Sequence, residues 1–210
     1  MNQPEIFLVD SGTGNLHSVE HTLRSLGAQV RLVRKADELG RGGRVILPGV
    51  GAFGKFMQGL HAAPGDLVQA LSATVQRGDP LLGICVGMQA LFEGSAEMGE
   101  FAGLGILPGR VVRFPEVPGF KVPHTGWNQL TPQVQASACL LLKGLVPGAY
   151  AYFNHSYYCA PDRQEDITAV TDHAVVFASM VQHDNVMGVQ FHPEKSQQTG
   201  LKILENFINA

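Results

Sequence analysis

Short apolar runs alternate with stretches of helical periodicity in the first half of the chain. Residues 6–9 are uniformly apolar and predict a buried strand, which the turn-forming residues 10–14 close. The next segment predicts a helix, because its apolar residues share one helical face: Leu16, Val19, Leu23 and Leu26. Gly27 then offers a C-terminal stop for that helix.

The alternation continues along the chain. Further short strands are predicted at residues 30–33, 45–47 and 81–84. Between the last two strands an apolar helical face is formed by Leu67, Leu71 and Val75, and the Gly-Asp-Pro sequence at 78–80 ends it. Buried strands separated by helices are typical of a doubly wound α/β sheet with parallel strands.

From about residue 105 the composition shifts to Gly, Pro and β-branched residues, which favour strands with tight connections. Strands are predicted at residues 111–114, 150–158, 167–171, 175–181 and 186–191, and an amphipathic helix at 200–208. These strands would extend the sheet in a mixed or antiparallel manner. We therefore predict one domain over residues 1–210, built on an open, doubly wound, mixed but mainly parallel α/β sheet flanked by helices.

Composition excludes several classes of protein. Hydrophobic residues make up 45% of the 210 residues and charged residues 16%, which argues against disorder. No apolar run approaches the roughly 20 residues that span a bilayer. The net charge of -3, without a basic stripe, disfavours nucleic-acid binding and leaves a small molecule as the expected substrate.

The cysteines and the N-terminus point to the reducing cytoplasm. Three cysteines, without C-x-x-C spacing, suggest neither a disulfide framework nor a zinc site. Residues 1–5 lack the basic region of a signal peptide, and the apolar run after them is short. We expect a cytoplasmic protein that uses no metal and no cofactor.

The most informative segment for chemistry is 81–89, where an apolar strand runs into a G-x-C-x-G pattern around Cys85. This pattern is typical of a nucleophile elbow with sulfur in place of oxygen, because the strained turn needs small residues, here Gly83 and Gly87, on both sides. A helix starting after Cys85 would direct its N-terminal amides at the sulfur and favour the thiolate. The alternative is a small buried hydrophobe, which is how we interpret Cys139 and Cys159.

A thiolate that attacks an amide needs a general base, and His192 is the best placed of the eight histidines. It follows a strand-like run, and Glu194 two residues later can accept a hydrogen bond from the imidazole and fix its tautomer. A surface His-Pro-Glu turn would have the same sequence. The pairing with Cys85 favours the catalytic interpretation.

An oxyanion site is expected where the glycine-rich residues 47–53 follow a strand. The backbone amides of Val50, Gly51 and Val86 are the candidate donors. Alone, residues 47–53 could also be a plain Gly-Pro turn.

Together, three motifs resemble the class I (triad) glutamine amidotransferases in their order and spacing: residues 48–51, 83–89 and 192–195. Four further segments are similar to the glutaminase subunits of imidazole glycerol phosphate synthase: residues 10–16, 48–53, 123–128 and 152–157. The resemblance covers nearly the whole chain. Asn154 and Thr125 depart from it, since that family often has apolar residues at both positions.

The resemblance implies that Cys85 attacks the carboxamide of L-glutamine, that His192 protonates the departing ammonia, and that water hydrolyses the thioester. It also implies that a set of residues matching the family's motifs holds glutamine: Gln89, Glu97, His155, Ser156 and Tyr157. Glu97 would meet the α-ammonium group. A solvated helix end remains the alternative for Glu97, and a core position for Tyr157.

By the same resemblance, ammonia would pass to a (β/α)8-barrel cyclase subunit in a heterodimer that makes imidazole glycerol phosphate and aminoimidazole carboxamide ribotide in histidine biosynthesis. The implied partner surface contains Trp127, Asn128, Lys195 and the loop from Gly12 to Asn15. An isolated subunit of this type is expected to be almost inactive, because the Gly49–Val50 peptide has to reorient before its amide faces the oxyanion.

Three other functions stay open from the sequence. The chain could serve another synthase, such as one for anthranilate, GMP or pyridoxal phosphate. It could be a cysteine peptidase or stress protein on a similar elbow fold, which the His-Pro-Glu segment disfavours. It could also be a silent binding subunit, against which the complete set of Cys85, His192 and Glu194 argues.

Overall fold

The first half of the chain folds as the predicted alternation of strands and helices. A computed structural model describes residues 5–13, 15–133 and 139–210. Most of the N-terminal region 1–5, in which the sequence shows no signal-peptide pattern, and Gly14 of the predicted partner loop lie outside this part. The elements are β1 (Glu5–Val9), α1 (Leu16–Ser25), β2 (Gln29–Val33), β3 (Arg44–Gly49), α2 (Phe53–Ala62), α3 (Leu67–Gln76), β4 (Leu81–Cys85) and α4 (Val86–Ala90).

The second half consists mainly of strands. These are β5 (Gly94–Ser95), β6 (Phe101–Ala102), β7 (Gly109–Arg113), β8 (His124–Gln129), β9 (Thr131–Pro132), β10 (Tyr150–His155), β11 (Tyr157–Pro161), β12 (Ile167–His173), β13 (Val175–His183) and β14 (Val186–Val189), followed by α5 (Gln197–Ile208).

The main sheet has the strand order β2-β1-β3-β4-β14-β13-β12-β9. The first five strands are parallel, and β13, β12 and β9 each run antiparallel to the strand before them in that order. This confirms the predicted mixed, mainly parallel α/β sheet. Because the chain moves from β1 towards one edge and then towards the other, right-handed crossovers place α1 and the α2–α3 pair on opposite faces.

Two predicted strands differ in their limits. The run at 150–158 is two strands in different sheets: β10 pairs with β8, whereas β11 pairs with β7. Ser156 separates them. The run at 186–191 ends as a strand at Val189, although the Gln190 amide still donates to the Ser179 carbonyl oxygen of β13 at 2.9 Å.

The register brings several loops to one edge of the sheet. Gly49 at the end of β3 lies opposite Cys85 at the end of β4, and Ile84 lies opposite Val189 at the end of β14. Open α/β sheets bind ligands outside the carboxyl ends of their strands. The residues after β3, β4 and β14 therefore meet where a site is expected.

The turn at Cys85 is the predicted elbow. Its backbone has φ 55° and ψ -112°, which L-residues rarely adopt. A Cβ on Gly87 would come within 1.8 Å of the Leu47 carbonyl oxygen of β3, and one on Gly83 would come within 2.6 Å of the Gly87 carbonyl oxygen. The glycines thus allow β3, β4 and α4 to approach each other closely.

Within the described ranges, none of the helices has the length and apolar character needed to cross a bilayer.

We predict that Gly87→Ala destabilises the protein by at least about 3 kcal/mol, because the added methyl group meets main-chain atoms that cannot rotate away. Urea unfolding followed by circular dichroism measures the loss. Gly40→Ala is the matched control, since its Cβ would be 3.4 Å from its nearest neighbour. Equal unfolding midpoints for the two variants would contradict the proposed close packing.

Candidate active site

A cavity of about 320 Å³ opens at the carboxyl edge of β3, β4 and β14. This size lies at the lower end of small-molecule sites, which span roughly 300–1,000 Å³. Most of the predicted site residues line it: Asn15, Val50, Gly51, Cys85, Val86, Gln89, Glu97, His155, Ser156, Tyr157, His192 and Lys195. The exceptions are Glu194, Trp127 and Asn128.

Cys85 and His192 form the floor of the cavity. The Cys85 residue is 3% exposed, and its side chain interacts electrostatically with that of His192. The predicted helix after Cys85 is present, but α4 spans only five residues, which limits its macrodipole.

Glu194 orients His192 from behind. Its Oε1 accepts a hydrogen bond from Nδ1 of the imidazole at 3.0 Å, and the side chains are 5% and 1% exposed for His192 and Glu194. With Nδ1 directed at the carboxylate, Nε2 is the nitrogen that faces the sulfur. Burial alone would lower the pKa of His192, but the hydrogen bonds to Cys85 and Glu194, and the charges of both, raise that pKa to about 10.

The candidate oxyanion donors lie beside the sulfur. Val50 and Gly51 follow β3 directly, and Val86 follows the sulfur in sequence; all three line the cavity. A Cβ on Gly49 would lie 2.8 Å from the Gly87 amide nitrogen, so the two backbone segments are close. Gly51 has φ +87°, a conformation that favours glycine at this turn.

Two candidate substrate residues also have structural roles. Gln89 is 3% exposed, and its Nε2 donates both to the Tyr157 carbonyl oxygen at 3.0 Å and to Gln190 Oε1 at 3.2 Å. Glu97 follows β5 rather than ending a helix, contrary to the alternative considered above. Its Oε2 accepts a hydrogen bond from the Phe53 amide at the start of α2 at 2.8 Å.

His155 belongs to a buried series of hydrogen-bonded imidazoles. Its Nδ1 donates to the Tyr157 carbonyl oxygen at 2.7 Å, which leaves Nε2 to accept from His124 Nδ1 at 3.1 Å. His124 Nε2 in turn accepts from Asn128 Nδ2 at 3.2 Å. Both ring nitrogens of His155 are thus engaged within the chain, so a contact with glutamine would come from its main chain.

Burial keeps this series neutral. It lowers the pKa of His155 to about 3, with the nearby charges of His124, His173 and His192 acting in the same direction and the hydrogen bond to Tyr157 opposing it. Burial and the neighbouring His173 lower the pKa of His124 to about 4. Within the described residues, His, Cys, Asp and Glu side chains form no group of three that could hold a metal ion.

Two of the predicted partner residues, Trp127 and Asn128, lie on opposite faces of the antiparallel β8–β10 pair. On the outer face Trp127 is 47% exposed and packs edge-on against Tyr152, with ring centroids 6.1 Å apart. The ammonium group of Lys195 lies 5.9 Å from the Tyr152 ring. Asn128 is on the inner face, where its Nδ2 also donates to the Asp172 carbonyl oxygen at 2.9 Å. Its interface role stays a prediction.

The two departures from the family pattern compensate each other. Thr125 and Asn154 are opposite one another in the β8–β10 register. Thr125 Oγ1 donates to Asn154 Oδ1 at 3.0 Å on the outer face. A polar pair therefore stands where the resembling family often has two apolar side chains.

Gln190, next to Cys85, is a residue that the sequence analysis missed. It is fully buried, and its Nε2 lies 3.7 Å from Cys85 Sγ. A signal was available, because a glutamine inside the apolar run 186–191 has to find a buried partner.

Comparisons with known proteins agree with this geometry. The family model described as glutamine amidotransferase class-I matches residues 7–210. Imidazole glycerol phosphate synthase subunit HisH of Desulfitobacterium hafniense is 49% identical over 202 residues, which cover 96% of this chain and 92% of that protein. The proteins of the same name from Gloeobacter violaceus and Aquifex aeolicus are 47% and 43% identical, covering 98% and 95% of this chain and 89% and 94% of theirs.

Solved structures share the fold at lower identity. The PurLQS structure from Thermotoga maritima covers 99% of this chain, and 99% of that chain is covered in turn, with a TM-score of 0.77 and 20% identity. A glutamine amidotransferase crystal structure has a TM-score of 0.71 at 19% identity, with 98% of this chain and 99% of that chain covered.

We predict that His155 contributes to acid destabilisation. Its pKa is about 3 in the folded chain and about 6.5 in an unfolded one, so between these values unfolding takes up a proton. The free energy of unfolding therefore decreases as the pH is lowered from 6.5 towards 3. His155→Asn, whose amide can still donate to Tyr157, should reduce the slope of unfolding free energy against pH by about 1.4 kcal/mol per unit between pH 6 and about 4.5. Urea titrations measure it.

The exposed His17→Asn serves as the matched control for this slope. If His155→Asn and the wild type lose stability in parallel as the pH falls, the buried neutral state of His155 is refuted.

Proposed function

The chain belongs to the class I glutamine amidotransferases and, among them, to the HisH subunits of imidazole glycerol phosphate synthase, and from that membership we propose that it hydrolyses L-glutamine at Cys85 to supply ammonia in histidine biosynthesis. The observation that carries the proposal is the buried arrangement of Cys85 and His192 at the cavity, with the His192 imidazole hydrogen bonded to Glu194.

The first half-reaction forms a thioester. The Cys85 thiolate attacks the carboxamide carbon of glutamine; a C–S bond forms and the carbonyl π electrons move to oxygen. Amides of Val50, Gly51 and Val86 are the donors proposed for that oxyanion. When the intermediate collapses, the C–N bond breaks and the nitrogen takes a proton from the His192 imidazolium, which the raised pKa keeps charged at neutral pH. Ammonia leaves.

The second half-reaction releases glutamate. Neutral His192 now accepts a proton from water as the water oxygen attacks the thioester carbon. The C–S bond breaks, the sulfur leaves as thiolate, and the imidazolium is restored. Glu194 holds the imidazole in the tautomer that both steps require.

Glutamine binding is assigned to the walls of the cavity. The main chain of His155, Ser156 and Tyr157 forms one wall, and Gln89 fixes its position through the Tyr157 carbonyl. Glu97 lines the cavity with one carboxylate oxygen bonded to Phe53, so its second oxygen is the candidate partner of the α-ammonium group.

The proposed partner is a (β/α)8-barrel cyclase subunit in a heterodimer. Trp127, Lys195, Asn15 and Asn128 are the candidate contact residues. The outer face of the β8–β10 strand pair supports this assignment, because it presents the exposed Trp127 near Lys195, which lines the cavity. We also propose that the reaction takes place in the cytoplasm, consistent with three free thiols.

We predict that glutamine turnover by the isolated chain is almost undetectable and rises at least about a hundredfold when purified barrel cyclase and its ribotide ligand are both added. The physical reason is the oxyanion site: removal of one donor costs about 10²–10³ in rate, and the Gly49–Val50 amide is proposed to reach its position only in the complex. Glutamate release, measured by a coupled dehydrogenase assay, is the readout.

Cys85→Ala is the control and should abolish turnover in the complex. If the isolated chain turns glutamine over at a rate near that of the complex, the proposed reorientation of the Gly49–Val50 peptide is refuted. Turnover that is Cys85-dependent but insensitive to the cyclase would keep the thiol chemistry and assign the chain to another synthase.

A further inference from the structure

We propose that Gln190 is a catalytic residue whose side-chain amide donates a hydrogen bond to the Cys85 sulfur and stabilises it as a thiolate. The inference rests on the proposed function, since it treats Cys85 as the nucleophile. It adds a neutral donor to the charged one that His192 provides.

The contact is a buried one. Gln190 has no exposed surface, and its Nε2 lies 3.7 Å from Cys85 Sγ, within reach of an N–H···S hydrogen bond. A buried NH₂ group is stable only when it donates a hydrogen bond. For the Gln190 side chain, the acceptor of that group is the Cys85 sulfur.

The orientation of the Gln190 amide is fixed by its neighbours. Gln89 Nε2 donates to Gln190 Oε1 at 3.2 Å, and Gln89 is itself held by the Tyr157 carbonyl oxygen at 3.0 Å. A side-chain amide has its acceptor on one end and its donors on the other. With the oxygen bound to Gln89, the NH₂ group is the end that meets the sulfur.

The backbone delivers Gln190 and His192 to the same reacting atom. The Gln190 amide nitrogen donates to the Ser179 carbonyl oxygen at 2.9 Å just beyond β14, and Phe191 is fully buried in the core. In extended chain, residues two apart point to one side. Gln190 and His192 thus both reach Cys85.

The titratable groups around the sulfur are His192 and Cys159, with Glu194 behind His192 and His155 next to it. Burial, and after it the charge of Cys85, raises the pKa of the Cys159 thiol well above its ordinary value, so Cys159 stays neutral. Gln190 is uncharged at every pH. It can therefore favour the thiolate without competing with His192 for the proton.

The donor has a role in both half-reactions. An N–H group pointed at sulfur favours the anion over the neutral thiol and thioester. It raises the fraction of reactive thiolate before attack, and it stabilises the sulfur as a leaving group when the thioester is hydrolysed.

The test is the pH profile of Cys85 alkylation by iodoacetamide in the full chain, with Gln190→Met and Gln190→Leu against wild type. Mass spectrometry of the labelled peptide distinguishes Cys85 from Cys139 and Cys159. We expect the pH of half-maximal alkylation to rise by about one unit in both variants, which lowers the rate about tenfold on the acidic side, because the thiolate loses a hydrogen-bond donor.

Gln182→Met is the matched control substitution, because Gln182 lies in β13 and does not line the cavity. It should leave the pH profile of Cys85 alkylation unchanged. A Gln190→Met profile that coincides with wild type would overturn the proposal. Glutamine turnover of the wild-type complex is measured separately, so a failure of the proposed function is distinguishable from a failure of the Gln190 contact.

A second measurement needs no Gln190 variant. In the chain labelled with [15N]glutamine, one side-chain NH₂ signal should shift as Cys85 titrates and should lose that shift in Cys85→Ala. If the glutamine side-chain signals of the wild type and Cys85→Ala titrate alike, Gln190 does not donate to the sulfur.

Discussion

The left-handed backbone at Cys85 is the constraint on which the site depends. Such a conformation costs about 1–3 kcal/mol and persists only where the surroundings fix it. Here β4 pairs with β3 on one side and with β14 on the other. The strand that leads into the turn at Cys85 is therefore held on both edges. Gly87 and Gly83 then admit the close contacts that a Cβ would forbid. The strain is offset by sheet pairing on both flanks.

The parallel register brings the proposed catalytic groups together around this turn. Because Gly49 and Cys85 are paired, the proposed oxyanion loop starts beside the proposed nucleophile. Because Val189 pairs with Ile84, the chain leaving β14 reaches the sulfur first with Gln190 and then with His192. Each group lies within a few residues of a strand end. Little flexible chain therefore separates the reacting groups from the core.

Sequence reasoning succeeded where the information is local. The buried parallel strands and the elbow follow from apolar runs and glycine spacing over a few residues. Strand β8 was missed because His124 faces inward and Trp127 outward, which inverts the usual hydrophobic alternation. The imidazole series and the Gln89–Gln190 bond join residues 31 and 101 positions apart in the sequence, so no local pattern could reveal them. The split of the predicted strand 150–158 at Ser156 could not be foreseen for the same reason, because it depends on which distant strands, β8 and β7, pair with each half.

The β8–β10 strand pair connects its outer face to His192, the proposed general base. The His192 amide donates to the Tyr152 carbonyl oxygen at 2.9 Å, and the Tyr152 amide donates to Ser196 Oγ at 2.9 Å. Ser196 Oγ in turn donates to the His192 carbonyl oxygen at 2.6 Å. Tyr152 is thus clamped at both of its backbone groups to the segment that carries the imidazole, while its ring lies under Lys195 beside Trp127. A displacement of the β8–β10 strand pair would move the backbone of His192 with it. The donors and acceptors of these bonds are buried or partly buried, so leaving them without partners is costly.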